Sequence, residues 1–356
     1  MARTLSDRPI TGPAVWRGRD LAGSTDWIRP LGAAAIEEID AALRSVQARG
    51  LAWRDIGKKD FPLPGVSAEL AQVSRDLEWG RGLVLLRGLP VARYSDDELR
   101  AIWWGIGCHL GIAVHQNAHG ELIGEVRDEI RLYGEVVQPA VPASEGVTSR
   151  AKARSSGPLR WHTDRCDVVG LLCVRGARRG GTSRVVSVPA VSNAILERRP
   201  DLHALLCSDY HRSRQGEEAG GEASCYAMPI FAMRDGKFTT QYSRTFVEAA
   251  QKIASVPRIS PAQDEALDLL AAVCDELGHD MELVPGDIQL LNNHVIYHGR
   301  TAYEDAPEAG RDRLLLRLWL APPNSRPLPE GFEVLWGSIK GGAVRGGIAQ
   351  PAPARA

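Results

Sequence analysis

His162, Thr163 and Asp164 make an HxD step, and a further histidine, His298, follows 298 − 162 = 136 residues later. Two imidazoles and one carboxylate, held rigidly with open positions opposite them, are the ligand set of non-haem Fe(II) oxygen chemistry. On an extended strand, residues two apart point to one side, so His162 and Asp164 can share an ion while Thr163 faces away. The third ligand must return from a distant strand. His298 meets that need, next to Gly299 and shortly after an apolar run, Asp287 to Leu291. Short His/Asp spacings are common, and a hydrogen-bonded His-Asp pair in a β-protein is the competing explanation.

His294 competes with His298, because HVIYH (294 to 298) also spaces two histidines as a zincin helix does. The intervening Val295, Ile296 and Tyr297 favour a strand, and no glutamate stands where the zincin motif requires one, so a zinc hydrolase is the weaker reading. His294 is expected to cap or hydrogen-bond locally. His109, His115, His119, His203, His211 and His279 have no partners at ligand spacing.

Arg313 and Arg317 bracket three leucines in a run that reads as a strand. A buried guanidinium without a partner is costly, so these charges need something to face. A dicarboxylic co-substrate would supply it, since arginine's planar fork binds a carboxylate through two parallel bonds and a nearby hydroxyl can complete the contact. Thr182 and Ser183, in GGTS (180 to 183), are suitable hydroxyls. A salt bridge to one of the 44 acidic residues is the structural alternative for either arginine.

The elements that must position these groups follow from periodicity. Ile36, Ile39, Leu43 and Val46 recur at helical spacing until Gly50, and a second helix is expected over Ser67 to Trp79. LVLLR, between Gly82 and Gly88, reads as a buried strand. Ser95 to Glu98 has the form of a capping box and opens a helix carrying Leu99, Ile102, Trp103 and Ile106. From His115 the period shifts towards two. Strands are expected near 121 to 126, 159 to 164, 168 to 176, 183 to 188, 228 to 233, 238 to 243, 282 to 284, 287 to 291 and 313 to 320, with a hairpin turn at Asp235-Gly236. A helix over about 261 to 277 interrupts them after Ser260-Pro261. Many short strands with a few packed helices suggest a mainly β fold with flanking helices, a sandwich or barrel.

Residues 1 to 30 read as irregular, and the tail from 341 to 356 as disordered. The segment 138 to 158 is polar, rich in Pro, Gly and Ser, and stands directly before the HxD step, where a long loop is either a lid or disordered. Gln215 to Ser224 is a second mobile candidate.

Composition narrows the function classes. The 356 residues, 44% hydrophobic and 24% charged, can bury a sizeable core. A formal net charge of −1 provides no field for nucleic acid or an anionic membrane. The six cysteines (Cys108, Cys166, Cys173, Cys207, Cys225, Cys274) form no compact framework, so reduced thiols are expected. No signal-like segment opens the chain and no apolar run approaches a membrane span, which makes a reducing cytoplasm the simplest location. Nothing fixes an interface, so a homo-oligomer is compatible with the sequence.

WHTD (161 to 164), GGTS (180 to 183), HG (298 to 299) and RLLLRLWL (313 to 320) together resemble the taurine dioxygenase-like (TauD/TfdA) family of Fe(II)/2-oxoglutarate-dependent oxygenases. The resemblance covers roughly residues 80 to 325. It implies a double-stranded β-helix, or jelly roll, with flanking helices, within a single oxygenase domain over 31 to 335. By it, His162, Asp164 and His298 would bind iron. Arg317, assisted by Thr182 or Ser183, would clamp the distal carboxylate of 2-oxoglutarate, and Arg313 would steady the carboxylate beside the keto group. O2 would be consumed, with succinate and CO2 as co-products. Halogenating relatives have a small residue in place of the ligand carboxylate, so Asp164 favours hydroxylation or desaturation. The protein's part is geometry and a dry pocket rather than acid-base chemistry.

The resemblance leaves the substrate open. Gln116, Asn117, Tyr242 and Arg244 are the candidate substrate contacts, with Arg244 suited to a carboxylate or sulfonate. Asn292 and Asn293 are expected in turn hydrogen bonds, and Trp161 behind the metal. The expected activity is that of a dioxygenase acting on a small, carboxylate-bearing molecule. A catalytically silent jelly-roll sensor of a metal or small ligand is the main alternative.

Overall fold

A computed structural model describes residues 8–133, 154–215, Glu218, 222–306, 310–348 and Gln350. Its centre is a seven-stranded sheet in the order Ile28–Pro30, Leu83–Arg87, Ile288–Asn292, Val168–Arg175, Leu314–Ala321 and Ile112–Ala113, with Ile123–Val126 also paired to Leu314–Ala321. The first pair is parallel and the others are antiparallel. A four-stranded antiparallel sheet runs His279–Met281, Ser183–Ser187, Ile296–Arg300, Leu159–His162.

Side-chain alternation divides the large sheet between two cores. Val84, Leu86, Leu172, Leu290, Leu316 and Leu318 pack with the helices Ala33–Ala48, Ser67–Trp79 and Asp96–Leu110. Leu83, Leu85, Val169, Leu291 and Trp319, one position out of phase, share a second core with Val185, Tyr297 and Met281 of the small sheet. That core continues into the helices Val188–Arg198 and Pro261–Leu277 through Val191, Ile195, Leu267 and Leu270. The sheets are therefore mixed, with helices outside them. Helix starts follow the sequence signals, since Ser95 and Glu98 form a reciprocal capping box, as do Ser260 and Gln263.

Several boundaries differ from expectation. The N-terminal segment is not wholly irregular: it contains a helix, Gly18–Ala22, and the edge strand Ile28–Pro30, anchored by buried Trp16, Leu21 and Trp27. A three-residue strand offers too few positions for a period to register. The strand expected at 282 to 284 lies instead at His279–Met281, in register with Val185 to Ser183. The run at 228 to 233 is two strands, Cys225–Pro229 and Phe231–Arg234. The expected disordered tail is ordered at least to Ile348, because Arg345 is drawn in by Asp167, a pairing that composition cannot reveal. Of the lid candidate, 138–153 lie outside the described residues, as do 216, 217 and 219–221 of the Gly/Glu-rich stretch. None of the six cysteines is in a disulfide. Among the described residues, no helix is long and apolar enough to cross a membrane.

Candidate metal centre and cavity

His162 and His298 are direct partners across the antiparallel strands Leu159–His162 and Ile296–Arg300, with ring centroids 4.2 Å apart. His162 Nδ1 lies 2.9 Å from the Arg160 carbonyl, which leaves Nε2 for a metal. The strand ends at His162, so Asp164 is not its strand neighbour as expected but sits in the turn beyond. Side chains hold that turn. Asp164 N donates to Asn293 Oδ1 at 3.1 Å, and Thr163 Oγ1 donates to Gln241 Oε1 at 2.6 Å. Asn293 also donates to the Cys166 carbonyl, so its side-chain bonds join distant segments instead of closing a local turn, as Asn292 does by accepting from His294 N. One ligand atom from each of His162, Asp164 and His298 lies within 4.8 Å of the others.

The protonation states suit a cation. Burial pushes the Asp164 carboxyl up, but Arg317, His298 and His162 outweigh it and hold the group below the usual carboxylate range. Burial, reinforced by His162 and Arg317 and opposed by Asp164, pushes His298 down to about 3. An ionised carboxylate beside the neutral His298 imidazole is the state a metal requires. Asp164 Oδ2 is buried without a hydrogen bond, 3.8 Å from His298 Nε2, and a shared ion would satisfy it.

The two arginines of the Leu314–Ala321 strand region are separated by their four-residue spacing, about 13 Å along a strand. Arg317 stands beside the His162, Asp164 and His298 cluster. Its Nη1 is 3.4 Å from Asp164 Oδ1, its Nε donates to Gln116 Oε1 at 2.7 Å, and its guanidinium stacks on Trp319. Gln116 Nε2 in turn donates to the Leu122 and Arg317 carbonyls. Arg313 lies with Thr182 in a separate hollow of about 140 Å³. Gly181 stands against it at φ 73°, where a Cβ would come within 3.1 Å of Arg313 Nε. The structure thus places Arg313, and not Arg317, beside Thr182, and Arg317 beside Asp164. Two arginines on one strand face are equivalent in sequence, and the direction of the strand in the sheet tells them apart. Ser183 is engaged elsewhere, exchanging hydrogen bonds with Gln289 at 3.0 and 3.2 Å.

Arg300, two residues beyond His298 on the same strand face, was not anticipated as a site residue. Its guanidinium and that of Arg313 both stack on Tyr303, at 4.6 and 5.0 Å from the ring centroid. Arg300 Nε and Nη1, Arg313 Nη1 and the Tyr303 hydroxyl are all buried without hydrogen bonds. Burial and the neighbouring Arg313 push Arg300 down to about 10. These orphaned donors are what an incoming carboxylate would satisfy.

A cavity of about 450 Å³ opens beside His162, Asp164 and Arg317. Of the four expected substrate contacts, Gln116 and Arg244 reach its wall. Arg244 is already spent on Glu248, Asp264 and Asp268. Asn117 instead builds a turn, accepting from His119 N and donating to Glu121. Tyr242 is buried in the core against Tyr297. Trp161 lines the cavity and donates to Asp275. His294 bonds Thr239 and Asp167, each at 2.7 Å, and so acts at long range rather than locally; the stretch 294–298 is a turn and strand, not a zincin helix. Arg165 and Arg214, also in the wall, were missed, although Arg165 directly follows the ligand Asp164.

The profile of the family described as Taurine catabolism dioxygenase TauD, TfdA family matches residues 46–319. FR-33289 synthase of Streptomyces rubellomurinus (strain ATCC 31215) is 30% identical over 93% of this chain and 96% of that protein. The Taurine hydroxylase-like protein SAT17 of Stachybotrys chartarum is 29% identical over 89% and 83%. Among solved structures, asparagine oxygenase in complex with Fe(II), 2S,3S-3-hydroxyasparagine and succinate is similar in fold, with a TM-score of 0.60 at 19% identity over 83% of this chain and 93% of that one. The non-heme iron oxygenase OrfP in complex with Fe and alpha-ketoglutaric acid gives a TM-score of 0.60 at 17% identity, covering 82% and 93%.

Proposed function

Because the chain belongs to the TauD/TfdA family of Fe(II)- and 2-oxoglutarate-dependent dioxygenases, we propose that His162, Asp164 and His298 hold its iron and that Arg313 and Thr182 receive the distal carboxylate of 2-oxoglutarate. The observation that carries the first assignment is the convergence of the three ligand atoms around a buried carboxylate oxygen that has no other hydrogen bond. The second rests on the hollow that Arg313 and Thr182 share and on the orphaned donors of Arg313, Arg300 and Tyr303 beside it. Ser183, occupied by Gln289, is the less suitable hydroxyl. Arg317 serves the metal end, where it would steady the carboxylate beside the keto group.

Iron, when bound, supplies the redox chemistry by which O2 and 2-oxoglutarate give succinate, CO2 and an oxidised substrate C–H bond. This chain supplies placement. Asn293 and Gln241 hold the Asp164 turn, Gln116 and Trp319 hold Arg317, and the apolar Phe246, Leu335 and Ile348 help keep the cavity dry. Asp164 occupies the ligand position, which supports hydroxylation or desaturation of a small, carboxylate-bearing substrate. The large and small sheets, with their shared core, are read as the two halves of a double-stranded β-helix. The unpaired thiols fit a reducing cytoplasm.

Anaerobic addition of Fe(II) and 2-oxoglutarate should produce a visible charge-transfer band, diminished in His162→Ala and Arg313→Ala. A band absent from the wild type, or undiminished in both variants, overturns the assignment. Coupled succinate formation across a panel of small carboxylates separates an enzyme from a silent sensor.

A further inference from the structure

Five arginines, Arg160, Arg165, Arg214, Arg244 and Arg317, line the cavity, against one carboxylate among the described lining residues, the metal-facing Asp164. Three of the five have evident partners. Arg317 has Asp164 and Gln116, Arg160 makes a two-pronged contact with Glu248 at 2.9 and 2.7 Å, and Arg244 is held by Glu248, Asp264 and Asp268.

Arg165 and Arg214 differ. Each has a nitrogen 3.4 Å from the same oxygen, Glu222 Oε1. Further bonds go to main-chain carbonyls: Arg165 Nε to Leu335, Arg214 Nε to Ala223 and Arg214 Nη2 to Val334. Arg214 Nη1 is buried and makes no hydrogen bond. A buried and a partly buried guanidinium that share, among the described residues, one loosely placed carboxylate are electrostatically incomplete, and a second anion would complete them.

The surrounding backbone is built to hold this pair. Arg214 stacks on Tyr226 at 4.8 Å, and the next residue, Gln215, is a buried non-glycine at φ 54°. Such a conformation is strained and persists where the surroundings impose it. Arg165 is chemically tethered to the metal centre, its Cα about 3.8 Å from that of Asp164. An anionic group bound there lies within a small molecule's length of the residues that would hold the iron, His162, Asp164 and His298.

We propose that Arg165 and Arg214 form the subsite for an oxyanion of the substrate, a carboxylate, phosphonate or sulfonate remote from the C–H bond that is oxidised. This rests on the cavity being the substrate pocket of the oxygenase. It transfers to Arg165 and Arg214 the anion-binding role that the sequence suggested for Arg244.

The test uses the full chain loaded anaerobically with Fe(II) and 2-oxoglutarate, titrated calorimetrically with phenylphosphonate and with phenylacetate. Saturable binding of at least one probe is expected. Arg165→Gln and Arg214→Gln should each weaken it about tenfold or more, whereas Arg244→Gln should leave it within about twofold. Should a Gln variant fail to fold by circular dichroism, Arg165→Lys and Arg214→Lys keep the charge and lose the fork, and an intermediate weakening is expected. Failure of the wild type to bind either probe, or unchanged affinity in the folded variants at both positions, overturns the subsite. The charge-transfer band reports separately on the oxygenase reading: its absence from the wild type with anion binding intact would overturn that reading and leave the subsite standing.

Discussion

Arg317 Nη1 stands 3.4 Å from Asp164 Oδ1, so a residue of the large sheet sets the charge of a ligand in the turn beyond the small sheet. Asp164 lies below the usual carboxylate range because Arg317, His298 and His162 together overcome its burial. A depressed carboxyl stays ionised, and able to bind metal, until pH falls through its pKa. Arg317→Met should move the loss of Co(II) binding to higher pH. Spectroscopic Co(II) titrations across acidic pH check this, and coincident profiles for variant and wild type would refute it.

Asn293 joins the Asp164 backbone N–H to the Cys166 carbonyl. Asn293→Ala should lower metal affinity about tenfold by loosening the turn. It should also destabilise the fold by about 2 kcal/mol, since buried polar groups lose their partners. Metal titration and urea denaturation read the two effects separately. A stability loss with unaltered affinity would show that Asn293 supports the core and not the ligand.

Arg313 and Thr182 share a hollow distant from Asp164, and Ser183 faces Gln289 instead. Arg313→Gln is therefore expected to raise the 2-oxoglutarate concentration for half-saturation by at least about tenfold, with Co(II) affinity unchanged. Ser183→Ala should change it by less than about twofold. A larger effect from Arg317→Gln than from Arg313→Gln on this one quantity would restore the order expected from sequence.

His294 is fully enclosed, and burial pushes it down to about 4 despite the opposing Asp167. Its folded pKa is below the unfolded value of about 6.5, so between these the unfolded chain binds more protons and stability rises with pH. Lowering the pH from 7 towards 4 should thus lower the urea midpoint progressively, and His294→Gln should flatten that part of the profile. An equally steep profile in the variant would assign the acid sensitivity to other groups.

Arg345 donates two guanidinium nitrogens to Asp167, which also holds His294. Arg345→Met leaves that carboxylate without its charge partner and should cost about 3 to 5 kcal/mol. Removing the chain after Lys340 should do as much or more. Thermal melts decide between this and a dispensable tail, which would leave both unfolding temperatures near the wild-type value.

Local chemistry was legible in the sequence where it is written in neighbouring residues. Ser95 and Glu98 announced their helix, LVLLR its strand, and His162, Asp164 and His298 the metal centre, because caps, alternation and ligand identity depend on residue type at short spacing. Roles that depend on where a strand points, or on who meets a charge from far along the chain, were decided by tertiary structure. Arg313 and Arg317 are interchangeable in sequence until the sheet puts one beside Thr182 and the other beside Asp164. Arg244 suited an anion until three carboxylates surrounded it, while Arg165 and Arg214, with no motif to mark them, have one between them among the described residues. A guanidinium carries the same charge everywhere in a chain; packing determines which carboxylates it meets and therefore which charge remains for a substrate.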